Sequence, residues 1–478
     1  MLPSAAVARA ARTDYRASAP PAERSLRMRH GPRRTGAPMT DATRRARALA
    51  QRLFEQAVAA VDAGQAVSRA SALVEPALAG PTPPRRVLGL SIGKAARPMA
   101  RAIAALCGPW LERGFVLVNE GYATGAPADR FEEHQTGHPL PDRRSVEATG
   151  RVLESLSTVR SDTLLVAGIS GGGSAALAAP AAGLELDDKR ALVAHLLAAG
   201  TPIDELNLVR RHLSRVKGGR LARLVWPART IALVVSDVPG DRIDLVASGP
   251  LSPAVADWPA VRDVLAARLA PDDVPPRVSR LLADGLAGRI EPPPGPGDRV
   301  FETVRVWIVA RNDDALDAAE LSADRLGLHV VRDPAPAAGD PADWARGFVR
   351  RLRDLPRPAC LLAGGELVSR PGPRAGRGGP CHEAALAAAE AIAGEDGLAV
   401  LAADTDGYDG NADAAGALVD GATCGRIRHA GLDPARHLER HDAATALDRA
   451  GALLRPGATG TNVMQFFCGV ALPAPARE

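Results

Sequence analysis

The chain has 478 residues, 46% apolar and 24% charged, with a net charge of +4 and 3% aromatics. That composition belongs to a soluble globular protein of two or three domains, and no run approaches the roughly 18 apolar residues of a membrane helix. The positive charge is confined to residues 1–38, whose eight Arg and two acids hold +6 and leave −2 for the other 440; a body so balanced, with so few stacking rings, is not a nucleic-acid binder.

In chain order, residues 1–38 read as a disordered or mis-started basic tail, without the apolar core of a secretory signal, and Met39 is the natural start of the folded body. Thr40 or Asp41 can cap a helix over 42–66, in which Leu49, Leu53, Phe54, Ala57, Val58 and Val61 recur at helical spacing. Continuous apolar runs then predict strands at 86–91, 114–118, 163–167, 230–235, 304–309, 359–363 and 398–402. Helical patterns fill gaps at 95–107, 145–156, 187–199 and 382–392. Strands apolar on both faces that alternate with helices predict an α/β protein with a parallel sheet. The proline-rich stretch 271–299 reads as a stiff connector between a unit 39–290 and a unit 300–475. Five scattered cysteines without C-x-x-C spacing indicate neither a disulfide framework nor structural zinc, and point to a reducing cytoplasm.

Several Gly/Ser/Asp turns directly follow predicted strands. Gly168-Ile169-Ser170-Gly171-Gly172-Gly173-Ser174 is neither a Walker loop nor a dinucleotide fingerprint, yet its glycines let backbone N–H groups approach an anion, with a helix expected from about Ser174. A ligand-free tight turn is the alternative for the glycines alone. Lys94, in Ile92-Gly93-Lys94-Ala95-Ala96, is one of three lysines beside 56 arginines, at the carboxyl end of a strand where open sheets bind ligands. Asp237 and Asp241 flank Pro239-Gly240, while Asp404, Asp406 and Asp409 alternate with Gly407 and Gly410. Such hard oxygen donors on tight loops suit Mg²⁺ with a nucleotide; the spacing is not an EF-hand, whose twelfth position here is Ala415. The cluster Arg210, Arg211, His212, Arg215, Lys217 and Arg220 offers forks for carboxylate or phosphate or, alternatively, a solvated basic face. His138 sits in a Pro-flanked loop suited to a structural hydrogen bond or to catalysis.

These motifs, with Gly137-His138-Pro139-Leu140-Pro141-Asp142, His212-Leu213-Ser214-Arg215-Val216-Lys217-Gly218-Gly219, Ala247-Ser248-Gly249-Pro250, Gly364-Gly365-Glu366, Gly376-Arg377-Gly378-Gly379, Thr405-Asp406-Gly407-Tyr408-Asp409-Gly410 and Thr459-Gly460-Thr461-Asn462-Val463 in that order along the chain, resemble the type II glycerate kinases. That family has an N-terminal glycerate-kinase domain and a C-terminal MOFRL domain, and the resemblance spans about 42–470. It implies two α/β domains, the first a Rossmann-like parallel sheet with helices on both faces, and an active site in the cleft between them. It further implies ATP- and Mg²⁺-dependent phosphorylation of D-glycerate on its 2-hydroxyl, in a cytoplasmic enzyme with no nucleic-acid or membrane partner and a homodimer as an open assembly state. Lys94 and Arg377 would stabilise charge on the transferred group, and Asp237 would be the base if one is used. Ser170, Gly171, Gly172, Gly173, Ser174, Arg215, Lys217, Glu366, Glu383 and Asn462 would bind substrate or phosphate. Asp241, Asp406 and Asp409 would hold the metal. The sequence departs from the family at Pro380-Cys381-His382, where the usual residues are Arg-Asn-Gln, and at Met464-Gln465, usually Asn-Asp. A kinase of another hydroxy acid, a non-catalytic relative and a hydroxypyruvate reductase are the competing readings, the last without a dinucleotide fingerprint in its favour.

Overall fold

The computed structural model describes residues 39–473 apart from 256, 371 and 373, so the basic tail and two prolines of the 371–379 loop lie outside the described residues. The apolar runs pair into two sheets. The first has six parallel strands: β1 (Arg86–Gly93), β2 (Leu111–Asn119), β3 (Phe131–Thr136), β4 (Thr163–Ile169), β5 (Arg229–Val235) and β6 (Val304–Ala310), in the order β3-β2-β1-β4-β5-β6. Helix Ala96–Cys107 covers one face through Met99 and Ile103, and helix Arg143–Leu156 covers the other through Val152 and Leu156. This doubly wound order reverses direction between β1 and β4, which opens a crevice at their carboxyl ends.

The second sheet comprises β7 (His329–Arg332), β8 (Ala337–Gly339), β9 (Ala359–Leu367), β10 (Leu398–Asp404), β11 (Gly416–Asp420), β12 (Leu453–Leu454) and β13 (Gln465–Ala471). It is mixed rather than parallel: β13 lies between β9 and β10, antiparallel to both. The apolar runs of β9 and β10 reflect burial under helices on both faces, and burial carries no information about strand direction.

Two domain boundaries differ from the sequence expectation. β6 pairs in parallel with β5, so the first sheet's sixth strand falls beyond the division drawn at 271–299. Two of the prolines there are packed: Pro293 and Pro294 are buried, and the Pro292 and Pro294 carbonyls accept from Arg223 and the Ala254 N–H. At the other end, the helix expected over 42–66 stops at Ala60, and Asp62 caps a second helix, Ala63–Arg69. Helix Asp41–Ala60, capped by Thr40, packs chiefly on the second sheet rather than on its own unit. Phe54 meets Phe466 at 5.9 Å between centroids, Arg47 pairs with the buried Asp420 at 2.6 Å, and Thr43 Oγ1 donates to Asp396 at 2.6 Å. One apolar cluster therefore runs from Met99 and Ile103 on the first sheet through Phe54 and Val58 to Leu401 and Phe466 on the second.

Candidate active site

The turns after β1 and β4 flank the crevice and are laced together. The Lys94 N–H donates to the Gly171 carbonyl (2.8 Å), and the Ser170 N–H and hydroxyl both donate to the Ile92 carbonyl (3.1 and 3.0 Å). Ser170 Oγ also accepts from the Ala95 N–H at 3.1 Å. Ser170 is thus a structural clasp, fully buried, rather than a group free for phosphate.

Gly171 has no room for a side chain, since a Cβ would stand 2.0 Å from Asp237 Oδ2 and 2.2 Å from Asn462 Nδ2. Gly172 has φ +77°, and a Cβ there would meet Asn119 Oδ1 at 2.3 Å. Among the described residues the N–H groups of Gly171 and Gly172 find no backbone acceptor, and buried Asn119 Oδ1 has no partner. The helix expected from Ser174 is a single turn, Gly173–Ala176, so these N–H groups and not a long helix dipole give the loop its capacity for an anion.

The second domain closes the crevice from the ends of β10 and β13. Lys94 Nζ pairs with Asp406 Oδ2 at 2.5 Å and lies 5.2 Å from the centre of the Tyr122 ring, whose hydroxyl also reaches Asp406 (3.3 Å). Tyr122 in turn makes edge contacts with Tyr408 and His138. From the same side, Asn462 Nδ2 donates to Asp237 Oδ2 at 3.3 Å. Lys94, Gly171, Asp237, Asp406 and Asn462 are therefore brought together in one place. Tyr122 and Asn119 were not anticipated; the available signal was that two of only three tyrosines fall in strand-end turns.

Carboxylates outnumber cations here. Burial pushes the Asp237 carboxyl up to about 6, although Lys94 opposes the shift. Burial, and then the negative Asp237, push Glu366 up to about 8. Asp404 is raised well above its ordinary range by burial and by Asp406. Burial would lower the Lys94 ammonium, but Asp406, Tyr122 and Asp404 outweigh it and hold the group above its ordinary value. Burial, helped by Lys94, drops His138 to about 4, so this histidine is neutral at pH 7.

Among the described residues no three His, Cys, Asp or Glu side chains form a ready-made metal cage. Mg²⁺ at a nucleotide takes only one or two carboxylates and draws its other ligands from phosphate and water, so the Asp237, Glu366, Asp404 and Asp406 group suits it, with Asp237, Glu366 and Asp404 all raised by burial and by neighbouring carboxylates. Glu366, expected to contact substrate or phosphate, thus belongs with the acids.

Other expected residues are engaged elsewhere. The Arg377 guanidinium is taken up by Asp413 and Asp448, and none of its described contacts reaches Lys94 or Asp237. Asp241 pairs with Arg311 at 3.3 Å and lines a pocket with Asp244, Leu251 and Phe301, apart from Asp406. Asp409 is buried and accepts from both the backbone N–H (2.8 Å) and the ring Nδ1 (2.5 Å) of His382, and Glu383 holds His441 at 2.9 Å. Arg215 is exposed and donates to the Pro180 carbonyl. Ser174 and Lys217 lie together at the end of the glycine loop: Lys217 Nζ donates to the Ser174 carbonyl and hydroxyl at 2.6 and 2.7 Å.

The sequence matches a domain of unknown function, DUF4147, over residues 49–283 and the MOFRL family over residues 359–465. D-glycerate 2-kinase of Thermotoga maritima is 35% identical over 392 residues, covering 80% of this chain and 90% of that protein. The chain belongs to the glycerate kinase family. A crystal structure of glycerate kinase from Thermotoga maritima matches it with a TM-score of 0.76 at 33% identity, covering 90% of this chain and 100% of the other. A protein of Agrobacterium vitis named putative hydroxypyruvate reductase is 38% identical over 429 residues, covering 87% of this chain and 93% of its own. Within the glycerate kinase family, this chain's departures are accommodated in its interior. His382 is fully buried against Asp409, and Gln465 Oε1 accepts from the Leu367 N–H at 2.8 Å, tying β13 to the end of β9.

Proposed function

We propose that the chain transfers the γ-phosphoryl group of ATP to the 2-hydroxyl of D-glycerate, giving 2-phospho-D-glycerate and ADP. The observation that carries this reading is Lys94 held between an open glycine loop and the carboxylates Asp237 and Asp406, where two domains meet at the switch point of a parallel sheet. The relatives named glycerate kinase supply the acceptor.

In this reading the free N–H groups of Gly171 and Gly172 cradle phosphate oxygens, and Lys94 offsets negative charge on the transferred group. Asp237, with its carboxyl near 6, accepts the proton of the 2-hydroxyl as that oxygen bonds to phosphorus and the bond to the ADP oxygen breaks. Mg²⁺, when bound, would neutralise phosphate charge; Asp406, Asp404 and Glu366 are the residues to hold it, with Asp241 and Asp409 set aside by their partners Arg311 and His382. Asn462 orients Asp237 across the domain boundary. A cytoplasmic location fits five free, buried cysteines, and among the described residues no helix is long and apolar enough to cross a membrane. The proposed assembly is a homodimer, which light scattering would test.

The test is turnover of the full chain with ATP, Mg²⁺ and D-glycerate, with the product identified by phosphorus NMR. A 2-phosphoglycerate signal is expected, reduced roughly 100- to 1,000-fold in Lys94→Ala, the usual cost of one electrostatic donor. Oxidation of NADH by hydroxypyruvate without any such signal would instead establish the reductase reading.

A further inference from the structure

All three lysines of this arginine-rich chain are withdrawn from solvent, and among the described residues only Lys94 has a carboxylate partner. Lys189, on helix Leu186–Ala198, is 5% exposed, and Lys217, in the turn before helix Arg220–Val225, is 2% exposed. Lys217 reaches the glycine loop through Ser174, whose hydroxyl lies 2.9 Å from that of Ser248. Ser248 is held there by two consecutive non-glycine residues in left-handed conformation, Ala247 (φ 52°) and Ser248 (φ 62°), a strained arrangement of the kind that collects at ligand sites. Lys189 Nζ is buried and has no hydrogen-bond acceptor among the described residues. The charges that act on the pair are cationic: Lys189 and Arg210 bear on Lys217, and Arg210 bears on Lys189. Behind burial itself, they press Lys189 down to about 8 and Lys217 well below its ordinary value.

Burying ammonium groups together without a carboxylate is costly, and a stable fold retains such a group when something else completes it. An anion supplies what is missing. We propose that Lys189, Lys217 and Arg210 form an enclosure for the non-transferred phosphates of the nucleotide, where its polyphosphate chain passes Ser174 at the end of the glycine loop away from Lys94. This rests on the kinase reading above. Polyphosphate is favoured over the carboxylate of glycerate by geometry. A three-carbon acid with its 2-hydroxyl at Asp237 carries its carboxylate on the adjacent carbon, beside Gly171, whereas a triphosphate extends its charge along the loop.

The experiment is calorimetric titration of the full chain and its Lys189→Met variant with inorganic pyrophosphate, MgATP and D-glycerate, alongside the melting temperature of each protein without ligand. Loss of one charge-assisted contact predicts a roughly 10- to 100-fold weaker pyrophosphate and MgATP affinity, with D-glycerate unchanged. Removing an unpartnered buried charge also predicts a higher melting temperature, an effect that a lysine serving packing alone would reverse. Lys189→Arg is expected to recover part of the pyrophosphate affinity, and Lys189→Gln gives the same comparison if the methionine variant does not fold. Equal pyrophosphate affinity in wild type and variant overturns the proposal. So does selective loss of D-glycerate binding, which would assign the enclosure to the carboxylate. Pyrophosphate binding that responds as expected, in a protein that never phosphorylates glycerate, would leave the enclosure standing and remove the acceptor instead.

Discussion

Asp237 and Glu366 are carboxylates whose environments oppose their charge, and each gives a pH signature. A base must be unprotonated, so kcat/KM is expected to rise through about pH 6 and then level, following Asp237. Asp237→Asn should lower kcat by roughly 100- to 10,000-fold and abolish that acid limb; an unchanged limb in a pH–rate profile would remove Asp237 as the base. Glu366 acts on stability. Its carboxyl titrates near 8 in the folded chain against an ordinary 4.5, so the folded state binds the extra proton between those values. The associated stability is complete below about 4.5 and is lost as pH rises through about 8. Without ligand, Glu366→Gln should therefore melt a few degrees higher than wild type at pH 8.5, and thermal melts across pH should show the difference shrinking toward pH 5. At this scale the sequence made Lys94, Asp237 and Asp406 legible, because each follows an apolar run that had to be a strand, whereas Asn462 stood out only through the motif that resembles the family. It did not foresee the partners of Arg377 and Asp241, because a motif shows that a charge is present but not that Asp413, Asp448 or Arg311 stands close enough to engage it.

The glycine loop is the element on which the site turns. Replacing Gly171 with Ala puts a methyl group where the Asp237 carboxylate and the Asn462 amide now lie, at 2.0 and 2.2 Å. Both are held from other elements, so the clash must displace the base or part the domains. A loss of roughly 100-fold in kcat/KM is expected, on the scale of an ångström's misplacement, with the folded circular dichroism spectrum retained; wild-type kinetics would show that Asp237 moves freely. The seven continuous apolar runs all became strands, whereas β3, reading Phe-Glu-Glu-His-Gln-Thr at the edge of its sheet, and the short β7 and β8 did not stand out. An edge strand is solvated along one side and needs no continuous apolar run. β13 was overlooked although fully buried, and it inserts antiparallel between β9 and β10, which makes the second sheet mixed together with the antiparallel β11.

Over the whole molecule, helix Asp41–Ala60 and strand β6 cross the boundary that the prolines suggested. A fragment of residues 39–290 would lack the sixth strand and expose Ala46, Ala50, Leu53, Phe54, Ala57 and Val58, which are buried against the second sheet. It is expected to show no cooperative unfolding in calorimetry. The full chain, with one apolar cluster through both sheets, is expected to unfold without a separate transition for the first unit; a sharp transition from the fragment would contradict this account of the core.

The sequence by itself determined the alternation of strands and helices and the chemistry stored in the turns at strand ends, because apolar period and turn composition are local properties. Only the tertiary structure decided which of those turns meet. Lys94 and Asp406 are 312 residues apart, and their 2.5 Å pairing follows from the strand order of one sheet and the docking of another upon it. The same packing left Lys189 buried without a hydrogen-bond partner among the described residues and set Arg377 among carboxylates of its own domain. Neither outcome is encoded at any spacing along the chain, since both depend on contacts between distant segments that burial of the shared core brings together.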